Sequence, residues 1–273
     1  DIKPIDIQAF FDKKSKSYSA ETVKKMRACL YGIFQSAVDN DLCIKNPVSP
    51  YLKIKDSKPP KKRVYTQIEL DTVLSFAKSH PLGLSVFILA KTGISRSELL
   101  GLRWEEVDLE NKVIHISQGV VQEKCTDTDK WVTIESELKN SYRKRSVPFD
   151  DELKYELAKH KTTIEVGGNK KKQIPSKQIM PEFVIYNSLG KAFNPSNWDS
   201  RVYKRFMSDM QSEHPDIPDL SPHELRHTVA TLLVNAGVDL FAVAKVLGHA
   251  DLDMLAKRYA HSNTESLRKS LGI

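Results

Sequence analysis

Cysteine is scarce: Cys29, Cys43 and Cys125 are scattered along 273 residues and never form a CxxC pair. That spacing excludes a disulfide framework and a zinc knuckle, and it favours a reducing compartment. No run of 18 apolar residues occurs, so neither a transmembrane helix nor a membrane partner is expected. The opening residues, DIKPIDIQAFF, lack the basic start and apolar block of a signal peptide. There is no GxxxxGK loop, and carboxylates do not gather as metal-dependent phosphodiester chemistry would require. Neither a cofactor nor a metal is therefore expected.

What is present is unevenly distributed charge. The chain carries a formal +7, and residues 1–63 hold 14 Lys and Arg against 7 Asp and Glu, so the remaining 210 residues balance at 28 against 28. An excess confined to the first quarter suits a module that faces a polyanion, although a basic surface without a partner has the same composition. Lys24, Lys25 and Arg27 fall on the outer side of a helix whose Val23, Met26, Leu30, Ile33, Phe34 and Val38 repeat at helical spacing. Ser19 caps that helix, and Pro47 is expected to end it. A short helix over 5–12 precedes it.

The stretch KIKDSKPPKKRVYT, with paired prolines and Lys58, Lys61, Lys62 and Arg63, reads as an extended basic linker. The expected organisation is a small helical domain over 1–54, a linker over 55–65 and a larger domain over 66–273. Thr66 and Glu69 open the larger domain with a capping box. Helices are predicted at 67–79, 82–92 and 95–103, then short β-rich runs between 112 and 148. A helix follows at 150–160, with NKKK at 169–172 in a loop and EFVIYN as a short strand. Further helices are predicted at 195–210, 222–235, 239–246 and 252–259. The fold class is mainly α with a small antiparallel β-sheet.

The most informative stretch is SPHELRHTVATLLVNAGVDLFAVAKVLGHADLDMLAKRYAH, residues 221–261. Ser221 as cap and Pro222 at the first helical position start a helix cleanly. His223 and Arg226, three apart, leave its first turn on one face, where they can hold two oxygens of one phosphate beside the helix N-terminus. Taken alone, such a pair better suits a structural Arg–carboxylate contact with a satisfied histidine. What shifts the reading is the addition of His249 in VLGH and of Tyr259 ten residues later.

In HELRHT, LGH and RYAH, taken in order and at this spacing, the chain resembles the tyrosine recombinase, or phage-type integrase, family. The resemblance extends over residues 1–262. SAETVKKMRACLYGIFQSAVDNDLCIKNPV resembles the end of that family's core-DNA-binding domain, so the first module is expected to be the C-terminal part of such a domain. TGISRSELLGLRWEEVDL resembles its first catalytic box, and LKNSYRKRSVPF its β-hairpin lysine box, with the active lysine at Lys139.

The resemblance implies a site-specific recombinase that cuts and rejoins DNA through a 3′-phosphotyrosine. Tyr259 would be the nucleophile and His223 its proton acceptor. Arg226 and His249 would bind the scissile phosphate, and Lys139 would protonate the leaving 5′-oxygen. Arg143, Arg145 and the basic residues of the first 63 positions would contact double-stranded DNA. His227 and Glu98 would support the site from behind, Glu98 by buttressing an arginine. Such enzymes are monomers off DNA and tetramers on paired sites, some with accessory DNA-bending proteins, and work in the bacterial cytoplasm. The tail after Tyr259 would dock in a neighbouring subunit or pack on its own domain.

One residue departs from the pattern: Ser95 stands where the family carries its first catalytic arginine, and an arginine follows at Arg96. One step along a helix turns a side chain by about 100°. The departure leaves open a slower enzyme, an enzyme using Arg96, or a non-catalytic DNA-binding relative. A type IB topoisomerase-like activity shares the same chemistry.

Overall fold

A computed structural model describes residues 2–54, 63–137, 143–169 and 174–248. The chain divides into two compact units, residues 1–62 and 63–273. No helix among the described residues is long and apolar enough to cross a membrane.

In the first unit, α1 (Pro4–Lys14) and α2 (Ala20–Asp39) enclose a small core of Ile7, Phe11, Val23, Val48 and Leu52. Ser19 caps α2 by accepting from the Thr22 amide. The helix stops at Asp39, well before Pro47, because Asp41 adopts a left-handed conformation at φ 58° and the Leu42 amide turns back to the Ala37 carbonyl. Ile33 lies off the apolar stripe and is exposed. The Gln8 amide group both donates to the Lys53 carbonyl and accepts from its amide, which ties the returning chain to α1.

The second unit begins with α3 (Gln67–Ser79) behind the Thr66/Glu69 capping box, followed by α4 (Gly83–Thr92) and α5 (Arg96–Gly101). Nearly every side chain of α4 is buried, making it the central helix of the core. The β strands are β1 (Val107–Asp108), β2 (Val113–Ile116), β3 (Gln118–Lys124), β4 (Trp131–Glu137) and β5 (Arg145–Pro148). They form two antiparallel sheets, one ordered β1-β2-β5 and one pairing β3 with β4. In the first, Ile114 pairs with Val147 and Ile116 with Arg145.

After α6 (Asp151–His160), β6 (Ile164–Asn169) and β7 (Ile174–Ile179) form a third antiparallel pair not predicted from the sequence, and of the loop expected at 169–172 only Asn169, the last residue of β6, is among the described residues. The expected strand over EFVIYN reduces to single bridges, Arg103 with Phe183 and Tyr186 with Ala192. Its apolar residues are buried against the core, yet it pairs too briefly to be a strand. The next helical run starts as α7 (Pro195–Trp198), widens into a π-helical turn over Asp199–Tyr203, and continues as α8 (Lys204–Glu213). Then come α9 (Pro222–Asn235) and α10 (Leu240–Leu247). The expected helix at 252–259 lies outside the described residues. The result is a mainly helical α+β fold with small antiparallel sheets.

Candidate active site

Two capped helix starts build the site. Ser221 caps α9 by accepting from the Glu224 amide, while the Glu224 carboxylate accepts from the Ser221 amide at 2.9 Å and hydroxyl at 2.7 Å. This fixes the first turn, from which His223 and Arg226 project. On the other side Ser95 caps α5 in the same way with Glu98. Between them lies a cleft of about 390 Å³ lined by Ser95, Arg96, Ser97, Asp199, Ser221, Pro222, His223 and Arg226.

Arg226 is held along its length. One terminal nitrogen donates to the Gly93 carbonyl at 3.0 Å, and the other donates to the Leu247 carbonyl. Gly93 ends α4 at φ 65°, and a Cβ there would stand 3.0 Å from Leu247 and 3.1 Å from Val229. Glycine is therefore required by both backbone conformation and space where α4, α9 and α10 converge. Arg226 also approaches Glu98 Oε2 at 3.5 Å.

Glu98 is buried, its side chain 4% exposed, and Arg145 clamps it with bonds of 2.8 Å to Oε1 and 3.1 Å to Oε2. Burial alone pushes the carboxyl pKa upward. The Arg145 hydrogen bonds and charge, with the Arg226 charge and the Ser95 amide, overcome this and hold it at about 2. Arg145, expected on DNA, thus has its guanidinium inside the protein. It sits on the same strand face as buried Val147, and that two-residue alternation was the signal by which the sequence could have shown it.

His223 is exposed at the cleft, and its Nε2 lies 3.0 Å from Nε2 of buried His227. One ring must donate and the other accept, so each imidazole restricts the other's tautomer. Arg96 reaches the same cleft, its side chain 46% exposed and 3.9 Å from Asp199. Asp199 was not singled out from the sequence. It opens the π-helical turn, a feature without a reliable local signal. Arg63 and Arg143 are exposed, as are Lys24 and Lys25 in the first unit, whereas Arg27 is half-buried and donates to the Pro50 carbonyl at 3.1 Å. Lys58, Lys61, Lys62, Lys139, His249 and Tyr259 lie outside the described residues. Among the described residues, no group of three His, Cys, Asp or Glu side chains could hold a metal ion.

Comparison with known proteins gives this cleft its setting. The chain is 28% identical over 270 residues to a XerC-like tyrosine recombinase of Caldanaerobacter subterraneus, covering 95% of this chain and 67% of the relative. It is 28% identical to the transposase of transposon Tn916 from Enterococcus faecalis, covering 97% of this chain and 64% of the relative. The integrase of Staphylococcus phage L54a is 26% identical, at 97% and 77% coverage. The chain thus spans about two thirds of the length of the first two of these relatives. Among solved structures, the Tn1549 transposon integrase in complex with a circular intermediate DNA superposes with a TM-score of 0.77 at 24% identity, covering 99% of this chain and 85% of that one. A λ integrase dimer bound to a core site gives 0.59 at 19% identity, covering 93% and 81%. These likenesses show the fold. The sequence profile of the phage integrase family matches residues 63–266, and the chain belongs to that family.

Proposed function

We propose that the chain is a site-specific DNA recombinase of the integrase type, which cuts and rejoins strands to integrate or excise a phage or mobile element. The observation that carries this reading is the cleft in which Arg226 and His223 from one capped helix face Ser95 and Arg96 from another. Its cationic wall suits a phosphodiester, and the DNA-bound neighbours support double-stranded DNA as the partner.

In this reading Tyr259 attacks the scissile phosphorus, the bond to the 5′-oxygen breaks, and a 3′-phosphotyrosine forms. A phenol with pKa about 10 needs a proton acceptor, which is His223. Arg226 neutralises the charge that grows on the non-bridging oxygens, and His249 donates a hydrogen bond to the same phosphate. Lys139 delivers a proton to the departing 5′-oxygen. The phosphotyrosyl bond conserves the energy of the broken linkage, so rejoining reverses the step without ATP.

Ser95 lacks the charge that the family places there, and loss of one such donor typically costs roughly 10²–10³ in rate. Arg96 lines the same cleft and supports a partial replacement from the next position. Lys24, Lys25, Arg27, Lys58, Lys61, Lys62, Arg63 and Arg143 supply phosphate contacts that position the duplex and make affinity salt-dependent. Four subunits act on paired sites, assisted by DNA-bending proteins where the sites require it. This substrate and three free thiols support a bacterial cytoplasmic setting.

The test is a library of duplexes nicked beside randomised core positions, from which covalent protein–DNA adducts are recovered. Adducts are expected with the unaltered chain, to be lost with Tyr259→Phe, and to form about 10²–10³ faster with Ser95→Arg. Tight binding with no adduct in either the unaltered chain or Ser95→Arg would overturn the reading.

A further inference from the structure

Arg145 is a buried cation of the second unit with several hydrogen-bond partners. Its side chain is 2% exposed. Besides the two bonds to Glu98, it donates to the Val246 carbonyl at 2.6 Å and to the Arg143 carbonyl at 3.0 Å. Its guanidinium also lies on the backbone of Gly248. A Cβ at Gly248 would stand 2.9 Å from Arg145 Nη1 and 3.1 Å from Cζ, and Gly248 itself holds φ 66°. One planar side chain from β5 therefore touches the first box through Glu98 and the end of α10 through Val246 and Gly248.

Charge adds a second argument. A buried ion pair carries a large desolvation cost, and an apolar residue beside Val147 would avoid it. Here one carboxylate faces two guanidiniums. Arg145 takes both oxygens in fork geometry, while Arg226 makes a single contact at 3.5 Å. Without Arg145, Glu98 would be free to close on Arg226 and cancel the charge that faces the cleft.

We propose that Arg145 is a positioning residue of the strand-cutting site: it fixes the end of α10 at Val246 and Gly248, and it occupies Glu98 so that Arg226 keeps its charge for phosphate. The proposal rests on the recombinase reading above. A long hydrogen-bonded cation off the reacting atoms thus controls geometry that catalysis reads at the ångström level.

The experiment compares Arg145→Met, Arg145→Lys and Gly248→Ala with the unaltered chain. Its readouts are DNA affinity, single-turnover adduct formation on a nicked duplex, thermal midpoint, and hydrogen exchange of the amides at 246–248. Arg145→Met is expected to bind DNA as the unaltered chain does while adduct formation falls about 100-fold and the 246–248 amides exchange faster. Arg145→Lys keeps the charge without the fork and stays impaired. Gly248→Ala leaves Arg145 chemically intact, displaces its guanidinium, and gives the same signature; it carries the test with Arg145→Lys if Arg145→Met does not fold. Adduct formation at the unaltered rate in Arg145→Met overturns the proposal. So does a parallel collapse of DNA affinity and thermal midpoint in all three variants, which marks a purely structural role. If the unaltered chain and Ser95→Arg form no adduct, the recombinase reading fails, and with it the role of Arg145 at a cutting site. The exchange at 246–248 then decides only whether Arg145 holds the end of α10: local acceleration upholds that anchoring and unchanged protection overturns it.

Discussion

The α5 wall of the cleft and its α9 wall both start from a serine cap with a glutamate three residues on, yet the two glutamates occupy different surroundings. Glu224 is half-buried, and its carboxylate accepts from the amide and hydroxyl of Ser221. Glu98 accepts from the Ser95 amide at 2.7 Å and, fully buried, also from Arg145 and Arg226. The same local device is a helix cap in one place and, in the other, also the counter-ion of two arginines. Local sequence sets the cap, and the two guanidiniums that reach Glu98 add its second role.

The comparison breaks most visibly on exchanging each carboxylate for an amide. Glu98→Gln leaves the buried Arg145 and the half-buried Arg226 short of a counter-charge and is expected to destabilise the protein by about 3–5 kcal/mol. Glu224→Gln retains a side chain that still completes a capping box and should cost only a few tenths of that. Urea unfolding of the two variants reads the difference, and equal losses would remove the distinction drawn here.

Acid titration sharpens the same contrast. The folded pKa of Glu98, about 2, lies below its ordinary value of 4.5, so the unfolded chain binds protons first as pH falls. The stability this carboxylate contributes is complete above pH 4.5 and drains away as pH drops through about 2. The gap corresponds to about 3 kcal/mol. Stability curves of the unaltered chain and Glu98→Gln are expected to converge over that window, and parallel curves would show that the carboxylate is not held down by its arginines.

The smallest effects come from the caps themselves. Ser221→Ala and Ser95→Ala should each cost about 1 kcal/mol, or about 2–4 °C in Tm for a unit of this size. A markedly larger loss at Ser221 would mean that α9 depends on its cap more than on its buried stripe.

Much of this molecule is legible before any coordinates. The Thr66/Glu69 and Ser221/Glu224 boxes mark the starts of α3 and α9, and apolar spacing carries both helices to their ends at Ser79 and Asn235. These signals are local, since a cap and a 3.6-residue stripe act within one turn of the chain. Where pairing is non-local, the reading weakens. The β6–β7 pair hides behind a basic, glycine-containing stretch, and EFVIYN has strand composition but only single bridges. The end of α2 was misplaced because the left-handed turn at Asp41 acts before Pro47.

The sequence by itself determined the family, through the resemblance of the ordered motifs HELRHT, LGH and RYAH to that family's boxes, and with it the proposal of His223, Arg226, His249 and Tyr259 for the chemistry. Only the tertiary structure decided what the neighbouring charges do. It buried Arg145 against Glu98, brought Asp199 to Arg96 from a π-helical turn, and set His227 against His223. The physical reason is that a charge's role depends on which partners reach it and how much water remains, and partners such as Glu98 and Arg145 meet only when the chain has folded.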